Sequence, residues 1–227
     1  MGFWQTAEVP VRTPTLLCVA LLMGCTPKAS TPTAAPGEGA ASEPVDALAV
    51  LTTLEDGIEA GTSTDEDRER AYETVNAAPD DGTADYAFAR AALAGRLAEL
   101  RGVGAGKLVT EAETFARLAL ERDPEYDEGA ATRMLGTLYV MAPGRLVEHG
   151  DAEDGLSMLE DLVDARPEDP RNHLRVAEAY IALDDPDPAV EFLCAAQAKR
   201  DELRKDDQSL LDTLAESFGG SAGLACE

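Results

Sequence analysis

The sequence of 227 residues is poor in aromatic side chains, at 5%, and contains only two histidines. Its four cysteines form no Cys-x-x-Cys pair. A structural zinc site needs four Cys or His ligands at characteristic spacings, so this inventory argues against one. We therefore expect neither a metal nor another cofactor.

Basic residues are also scarce, since 19 Lys and Arg stand against 44 Asp and Glu, which gives a formal net charge of -25. A surface of this charge repels the phosphates of nucleic acids and of anionic lipids. We therefore exclude nucleic acid as a partner. The acidity is typical of a solvated surface, and it also suits a protein partner with a basic face.

Stretches with the alternating polarity of β-strands are few, whereas alanine is abundant. Alanine has the highest helix propensity, and its small side chain lets helices approach each other closely. The composition therefore favours an all-α fold.

A short apolar run occupies residues 15–23. It is too short to remain as a membrane-spanning helix, and it has the length of a signal-peptide core. The run ends in Leu22-Met23-Gly24-Cys25, which resembles a lipobox. In such signals cleavage follows the residue at Gly24, and the Cys25 thiol receives a diacylglycerol. We predict a lipoprotein signal peptide over residues 1–24; the alternative is an ordinary secretory signal with an incidental cysteine.

The segment after the cysteine is rich in Pro, Ala, Ser and Thr and has no large apolar residue up to residue 44. Such a composition cannot bury enough surface to fold. We therefore predict a lipidated cysteine and a disordered tether over residues 25–44, which anchor the protein without spanning the membrane. Because Thr26 rather than Asp follows the cysteine, the resemblance to sorting signals favours the outer membrane, with the protein facing the periplasm.

From residue 45 onward, small or apolar residues recur at positions i, i+4 and i+7, which share one face of a helix. Four such sets start 34 to 43 residues apart. The sets are Ala71, Val75, Ala78; Ala112, Ala116, Ala119; Gly155, Leu159, Leu162; and Ala189, Leu193, Ala196. Repeats of this length indicate a solenoid of stacked helix pairs.

The helix that precedes the third set carries Leu135, Gly136 and Tyr139, and the helix before the fourth carries Ala177 and Tyr180 at matching offsets. With Ala189 and Ala196 on the last set, this pattern resembles the tetratricopeptide repeat. The resemblance implies about four helix pairs in a domain over residues 45–218. We also predict a C-terminal capping helix at 207–218 and a loose tail at 219–227. The sequence leaves open whether residues 45–78 form a true repeat.

Two insertions separate paired helices, at residues 102–106 and 141–151. In a solenoid, insertions of this kind lie together on one edge, which is often the binding edge. The order Arg133, Leu135-Gly136, Tyr139, Ala142-Pro143, glycine-containing loop and second helix is similar to the T-component lipoproteins of TRAP transporters (the TatT family). This resemblance covers roughly residues 84–198. It implies a periplasmic lipoprotein that associates with a solute-binding receptor, forms homo-oligomers and contains apolar tunnels.

Other candidate sites favour structural interpretations. The run from Gly102 to Lys107 resembles a phosphate-binding loop, but Leu108 stands where a Ser or Thr is required, so a helix-helix loop is favoured. The acidic run Asp184–Asp187 lacks the spacing of a calcium loop, and we expect it to cap the next helix. His173 is expected to pack and His149 to be solvated, with a proton or metal role for His149 as the alternative.

Cys194 and Cys226 are the two unlipidated cysteines that remain after processing, and a disulfide between them is possible in an oxidising compartment. No nucleophile, base or metal cluster is visible, so we expect no enzyme activity. The favoured function is protein docking by a membrane-anchored helical-repeat module, as the T-component of a TRAP-type receptor system. The alternative is an envelope assembly or scaffold lipoprotein without a small-molecule ligand.

Overall fold

The structure is a computed structural model that describes residues 45–220, 223, 224 and 226. The predicted signal peptide, the lipobox residues Gly24 and Cys25, and the tether up to residue 44 lie outside the described residues. These three features therefore stay predictions.

The described residues form nine α-helices, two single-turn 3-10 helices and no β-strand, which confirms the all-α fold class. The α-helices are α1 Ala47–Glu59, α2 Asp65–Ala77, α3 Ala84–Arg101, α4 Gly106–Arg122, α5 Tyr126–Met141, α6 Ala152–Ala165, α7 Pro170–Ala182, α8 Ala189–Ala198 and α9 Lys205–Glu216. The 3-10 helices cover Gly102–Gly104 and Arg200–Glu202.

Consecutive helices pack in pairs, α1 with α2, α3 with α4, α5 with α6 and α7 with α8. We call the first helix of each pair an A helix and the second a B helix. Helix α9 covers the last pair by contacting both α7 and α8. The predicted solenoid of about four helix pairs with a capping helix is thereby confirmed.

Polar side chains define where several helices begin. Asp46 caps α1, and Thr64 caps α2 in a reciprocal arrangement with Asp67. Asp151 and Asp154 form the same arrangement at α6. These oxygens accept hydrogen bonds from backbone N–H groups of the first turn, which have no acceptor within the helix. The turns between helices are therefore encoded locally.

Prolines define where three B helices end. Ala78, Asp123 and Arg166 are each followed by proline, and each leaves the helical backbone region. A residue before proline is displaced from the α-helical region by steric contact with the proline ring. Helices α2, α4 and α6 consequently stop just before these positions.

The core is built largely of alanine, leucine and valine on the periodic faces of the B helices. The buried members are Ala71, Val75, Ala112, Ala116, Ala119, Leu159, Leu162, Ala189, Leu193 and Ala196. Small residues at these positions keep neighbouring helices close, because a larger side chain would push the helix axes apart. The first helix pair takes part in this packing, with Leu51 and Leu54 of α1 buried against α2 and α3.

The C-terminal segment differs from the sequence-based expectation. The capping helix begins at Lys205 rather than Asp207 and ends at Glu216. The tail was expected to be loose, but Leu224 is buried in the same core cluster as Leu193 and Leu211. Leu224 is a large apolar residue, and burial of such a side chain contributes about 1.5–3 kcal/mol. The expectation of a loose tail is therefore wrong at Leu224.

The start of α5 is irregular. Asp127, Glu128 and Gly129 have φ angles of 43°, 54° and 87°, in the left-handed region that L-residues other than glycine disfavour. A Cβ atom on Gly129 would lie 2.5 Å from Leu162 Cδ1. The chain therefore makes a left-handed turn here that lets α5 start directly against α6.

Candidate functional site

The A helices and α9 form a closed circuit of contacts. Helix α1 contacts α3, α3 contacts α5, α5 contacts α7 and α7 contacts α9, while α9 also contacts α1. The A helices line the inner face of a helix-pair solenoid, a concave surface that repeat proteins commonly use for binding. In this domain the last helix, α9, meets the first helix, α1.

Two arginines of the inner face pair with α9. Arg96 on α3 lies 2.7 Å from Glu55 of α1 and 2.9 Å from Asp206 of α9. Arg175 on α7 pairs with Glu178, at 2.8 Å, and with Asp207. The acidic start of α9 therefore occupies the positions at which an acidic partner could have met these arginines.

The two neighbouring aspartates differ in their electrostatics. Burial raises the pKa of Asp206, but the hydrogen bond and charge of Arg96 outweigh burial and leave this pKa below its ordinary value. For Asp207, burial dominates over the charge of Arg175, and the pKa lies above its ordinary value. The ionised form of Asp206 is therefore stabilised by the fold, whereas that of Asp207 is disfavoured.

Basic residues at the start of α9 complete the closure. Arg204 donates a hydrogen bond to the carbonyl oxygen of Glu55, and Lys205 Nζ donates to the carbonyl oxygen of Glu59 at 2.8 Å. The backbone N–H of Lys205 donates to the Glu59 carboxylate, also at 2.8 Å. Cations suit these positions because the last carbonyl groups of α1 carry partial negative charge. We call residues 204–206, with Glu55, Glu59 and Arg96, the clasp.

A polar cleft of about 590 Å³ lies beside the clasp. Its lining includes Glu128, Arg166, Asp169, Arg171 and Arg204. Charged side chains of both signs line this cleft, which makes it unsuitable for an apolar ligand.

Arg133 of α5 is buried near Asp169, which lines the same cleft. Its guanidinium donates to Asn172 at 2.7 Å and lies 3.5 Å from Asp169. Burial and the neighbouring charge of Arg171 lower its pKa to about 10, although Asp169 opposes that change. Arg133 therefore joins α5 to the start of α7 as a buried polar contact.

The two insertions come together, as the solenoid topology predicts. A Cβ atom on Gly106 would lie 3.3 Å from Leu146 Cδ2, so the start of α4 touches the insertion between α5 and α6. Thr110 Oγ1 also donates to the carbonyl oxygen of Leu146 at 3.1 Å. The insertion between α5 and α6 is thus fixed to α4 rather than free.

Glu113 is the main anchor of this insertion. Its side chain is 1% exposed and accepts hydrogen bonds from the backbone N–H groups of Glu148, at 2.9 Å, and His149, at 2.8 Å. The His149 ring lies 3.3 Å from the same carboxylate. His149 was expected to be solvated, and its ring is half exposed beside Glu113. Sequence reasoning missed Glu113 because one glutamate among the six charged residues of α4 carries no distinguishing signal.

Exposed large apolar residues collect where the A helices end. In the part of the chain that the structure describes, they are Leu100, Val103, Met141 and Leu183. Val103 is 104% exposed, and it sits in the 3-10 turn between α3 and α4. We call this side of the solenoid, with the two insertions, the insertion edge. The insertion edge combines exposed apolar side chains with an insertion between α5 and α6 whose backbone is held by hydrogen bonds to Thr110 and Glu113.

The scaffold residues of the third pair lie where α5 crosses α6. A Cβ atom on Gly136 would lie 2.9 Å from Leu159 Cγ, and one on Gly155 would lie 2.6 Å from the carbonyl oxygen of Gly136. Leu135 and Tyr139 are both 4% exposed. The glycines allow backbone contact between the helices, and the two larger side chains fill the space beside it.

The scaffold residues of the fourth pair are similarly placed. Ala177, Ala189 and Ala196 are fully buried. Tyr180 is half-buried, donates a hydrogen bond to Glu160 of α6, and stacks on Phe192 with ring centroids 5.9 Å apart. Tyr180 therefore connects α7 with both neighbouring B helices.

The remaining candidate residues lie in connections between helices or near the start of a helix. The run from Gly102 to Lys107 forms a 3-10 turn and the first residues of α4, as a helix-helix connection. His173 contacts the carbonyl oxygen of Pro167 at 2.7 Å. Asp184 to Asp187 are exposed, but the expectation that they cap α8 is wrong, because Pro188 occupies the N-cap without a side-chain bond. The described residues contain no group of three or more His, Cys, Asp or Glu arranged to hold a metal.

Cys194 of α8 and Cys226 of the tail are joined in a disulfide, with Cα atoms 5.4 Å apart. This separation lies within the usual range for disulfides. Together with buried Leu224, the bond holds the end of the chain against the last helix pair. No helix among the described residues has the length and apolar content needed to cross a bilayer.

Comparison with known families supports a tetratricopeptide-repeat protein. Residues 146–204 match the family model described as Tetratricopeptide repeat, which covers α6, α7 and α8. No curated protein matches the chain. Tetratricopeptide repeats indicate a protein-protein interaction module, so the part of the chain over residues 146–204 is similar to a family of interaction scaffolds.

Proposed function

We propose that this protein is a lipid-anchored, periplasm-facing docking module of the bacterial cell envelope, and that it serves as the T-component of a TRAP-type solute receptor system. The single observation that carries the docking proposal is the insertion edge, where two insertions are held together beside exposed apolar residues. The inner face is less suitable, because α9 pairs with its arginines.

Two features support a location outside the cytoplasm. The first is the lipobox resemblance at Leu22-Met23-Gly24-Cys25, followed by a tether that lacks large apolar residues. The second is the disulfide between Cys194 and Cys226, because disulfides persist in oxidising compartments such as the periplasm. Thr26 after the lipidated cysteine favours the outer membrane. We propose a binding rather than a catalytic role, as is general for repeats of this kind.

The envelope-scaffold alternative is favoured by one observation. The T-component resemblance implies an apolar tunnel for a hydrophobic ligand, whereas the cleft beside the clasp is lined with charged side chains. A scaffold lipoprotein would dock proteins through the same insertion edge without taking up a small molecule. Extraction of the purified protein with organic solvent, followed by mass spectrometry, distinguishes the two functions by the presence or absence of an apolar ligand.

The anchor is tested by fractionation of cells that produce the full-length chain. Cys25→Ser should release the protein into the soluble periplasmic fraction, since no thiol is left to carry the acyl chains. Cys18→Ser, within the same apolar run, is the matched control and should remain with the membrane. Membrane retention of the Cys25→Ser variant would contradict the anchor.

The docking role is tested by purification of the full-length lipoprotein from detergent-solubilised envelopes. A TRAP-type solute-binding receptor should co-purify with it. Recovery of outer-membrane or assembly proteins without a receptor would support the scaffold alternative. Absence of any specific protein would contradict docking altogether.

A further inference from the structure

We infer that the clasp is a salt-sensitive latch, which opens and closes the circuit of A helices and thereby controls access to the inner face of the solenoid. The inference concerns a face other than the insertion edge, and it does not depend on the proposed docking function.

The seam between α1 and α9 is polar. Arg204 and Lys205 donate hydrogen bonds to the C-terminal part of α1. Asp206 pairs with Arg96 of α3. No apolar cluster of the described residues contains side chains of both α1 and α9. The seam therefore lacks the apolar burial that holds each helix to its partner within a pair.

Each side of the seam is anchored in its own half of the domain. Leu51 and Leu54 of α1 are buried in one apolar cluster with residues of α2 and α3. Leu211 and Ala215 of α9 are buried in another, with residues of α7 and α8. Release of the clasp therefore separates α9 from α1 without uncovering an apolar core, and both halves stay packed.

Water and salt reach the clasp. The Lys205 side chain is 69% exposed and the Glu59 side chain is 34% exposed. Ion pairs between groups of this exposure stabilise a structure only weakly, and dissolved salt screens them further. Apolar clusters are not weakened by this screening. Added salt should therefore favour release of the clasp while the helix pairs remain folded.

Opening leaves no buried charge without a partner. The Arg96 guanidinium donates through Nε and Nη2 to both carboxylate oxygens of Glu55, each at 2.7 Å. These two bonds join α3 to α1, so they remain when Asp206 moves away. Asp206 lies in the first turn of α9, where the helix N-terminus stabilises a carboxylate. Because an unpaired buried charge is what makes such a contact costly to break, the open form is accessible as well as the closed one.

The solenoid architecture supplies the movement. Each helix pair contacts mainly its neighbours, so small rotations at successive interfaces add up along the stack. The first and last helices then separate by the sum of these rotations, while each internal interface changes little. The open form exposes more of the Arg96 guanidinium, which Asp206 contacts in the closed form.

The inference is tested by pulsed electron paramagnetic resonance on the full-length lipoprotein in detergent. Spin labels are attached at Asp56→Cys on α1 and Glu216→Cys on α9, which are exposed positions. The matched pair, Asp56→Cys with Glu73→Cys on α2, lies within the first helix pair and does not span the seam. Raising sodium chloride from about 20 mM to about 1 M should increase the population of the longer α1–α9 distance about twofold or more. The control distance should not change.

A variant that weakens the clasp should act as salt does. Glu59→Gln removes the carboxylate that accepts from the Lys205 backbone and lies near the Arg204 side chain. It should raise the longer population at low salt about twofold or more and should reduce the effect of added salt. Asp161→Asn, which changes an exposed carboxylate on α6, should have no effect. Circular dichroism of each labelled protein should match that of the wild type, which verifies that the fold is retained.

Three outcomes would contradict the latch. A single distance that neither salt nor Glu59→Gln changes would overturn it. An equal change in both labelled pairs would also overturn it, because the whole domain would then be loosening. A salt effect that is the same in the wild type and in Glu59→Gln would place the movement outside the clasp and overturn the inference too. None of these measurements involves a partner, so the latch is tested separately from docking.

Discussion

At the scale of single residues, the third helix pair depends on the absence of side chains where α5 meets α6. We predict that Gly136→Val lowers the free energy of unfolding by about 1–3 kcal/mol, because its new atoms meet Leu159 and the backbone of Gly155. Urea denaturation followed by circular dichroism measures this change. Gly95→Ala is the control within α3.

Gly95 has nothing within 4 Å of an added Cβ, so Gly95→Ala should stabilise the protein by about 0.5–1 kcal/mol through helix propensity alone. Equal effects of the two substitutions would contradict the close crossing of α5 and α6.

Glu113 gives a second prediction at this scale. Glu113→Ala removes the acceptor for two backbone N–H groups, and we expect a loss of about 1–3 kcal/mol in unfolding free energy. Hydrogen exchange at Glu148 and His149 should accelerate more than elsewhere. Glu121→Ala, exposed on the same helix, should change neither quantity. Unchanged exchange at residues 148 and 149 would show that the insertion is held by other contacts.

The same residues show what local sequence can and cannot indicate. The Leu135-Gly136 pair and Tyr139 follow a repeat pattern, so their scaffold positions are predictable from the sequence alone. Glu113 belongs to the same helix as buried Ala112, but its partner is backbone that comes 35 residues later. No side-chain pattern encodes a bond to a distant backbone group.

At the scale of elements, α9 and the tail act as one cap on the last pair. Cys194 and Cys226 are 32 residues apart in sequence, and the loop-entropy estimate gives about 3–4 kcal/mol for such a bond. We predict that Cys226→Ser lowers unfolding free energy by an amount of this order. Reduction of the wild-type protein should produce the same loss, and reductant should not affect the variant. Identical unfolding of the oxidised and reduced wild type would contradict the cap.

The helical elements were predictable because their signals are local. Prolines after Ala78, Asp123 and Arg166 mark helix ends, and the recurring small residues mark the B helices. The left-handed turn at residues 127–129 was not predictable from the sequence. Residues other than glycine disfavour the left-handed backbone region, and here three successive residues adopt it. Its cause is tertiary, since Gly129 must fit against Leu162 of α6.

At the scale of the whole domain, the clasp connects the first helix with the last. Asp206→Asn should lower unfolding free energy at neutral pH by about 1–3 kcal/mol, because Arg96 loses a charged partner. Since the fold lowers the Asp206 pKa, its contribution is present above the ordinary value of 3.8 and is lost as pH falls below it. The difference between wild type and variant should therefore disappear in acid.

Denaturation over a series of pH values tests this prediction, with Asp164→Asn on the exposed side of α6 as control. The raised pKa of Asp207 gives a trend of opposite sign, and because the charge of Asp206 contributes to that rise after burial, Asp206→Asn weakens this trend. A difference that persists undiminished at a pH below the lowered pKa of Asp206 would show that Asp206 acts through packing rather than through its charge.

Closure of the A helices could not be predicted from sequence. Arg96, Asp206 and Lys205 are ordinary charged residues in a highly charged chain, and the pairing of Arg96 with Asp206 spans 110 positions. The repeat pattern predicts neighbours only, because each helix pair contacts the next in the same way. It therefore does not indicate that α9 pairs with Arg96 and Arg175 of the A helices.

The most direct test of docking is amine-specific cross-linking of the full-length lipoprotein in its native envelope, followed by mass spectrometry. The described lysines are Lys107 on the insertion edge, Lys199, which pairs with Glu168, and Lys205 of the clasp. We predict cross-links from Lys107 to a periplasmic solute-binding receptor, with few from Lys199. Partner cross-links confined to Lys199 and Lys205, or none from Lys107, would contradict docking through the insertion edge.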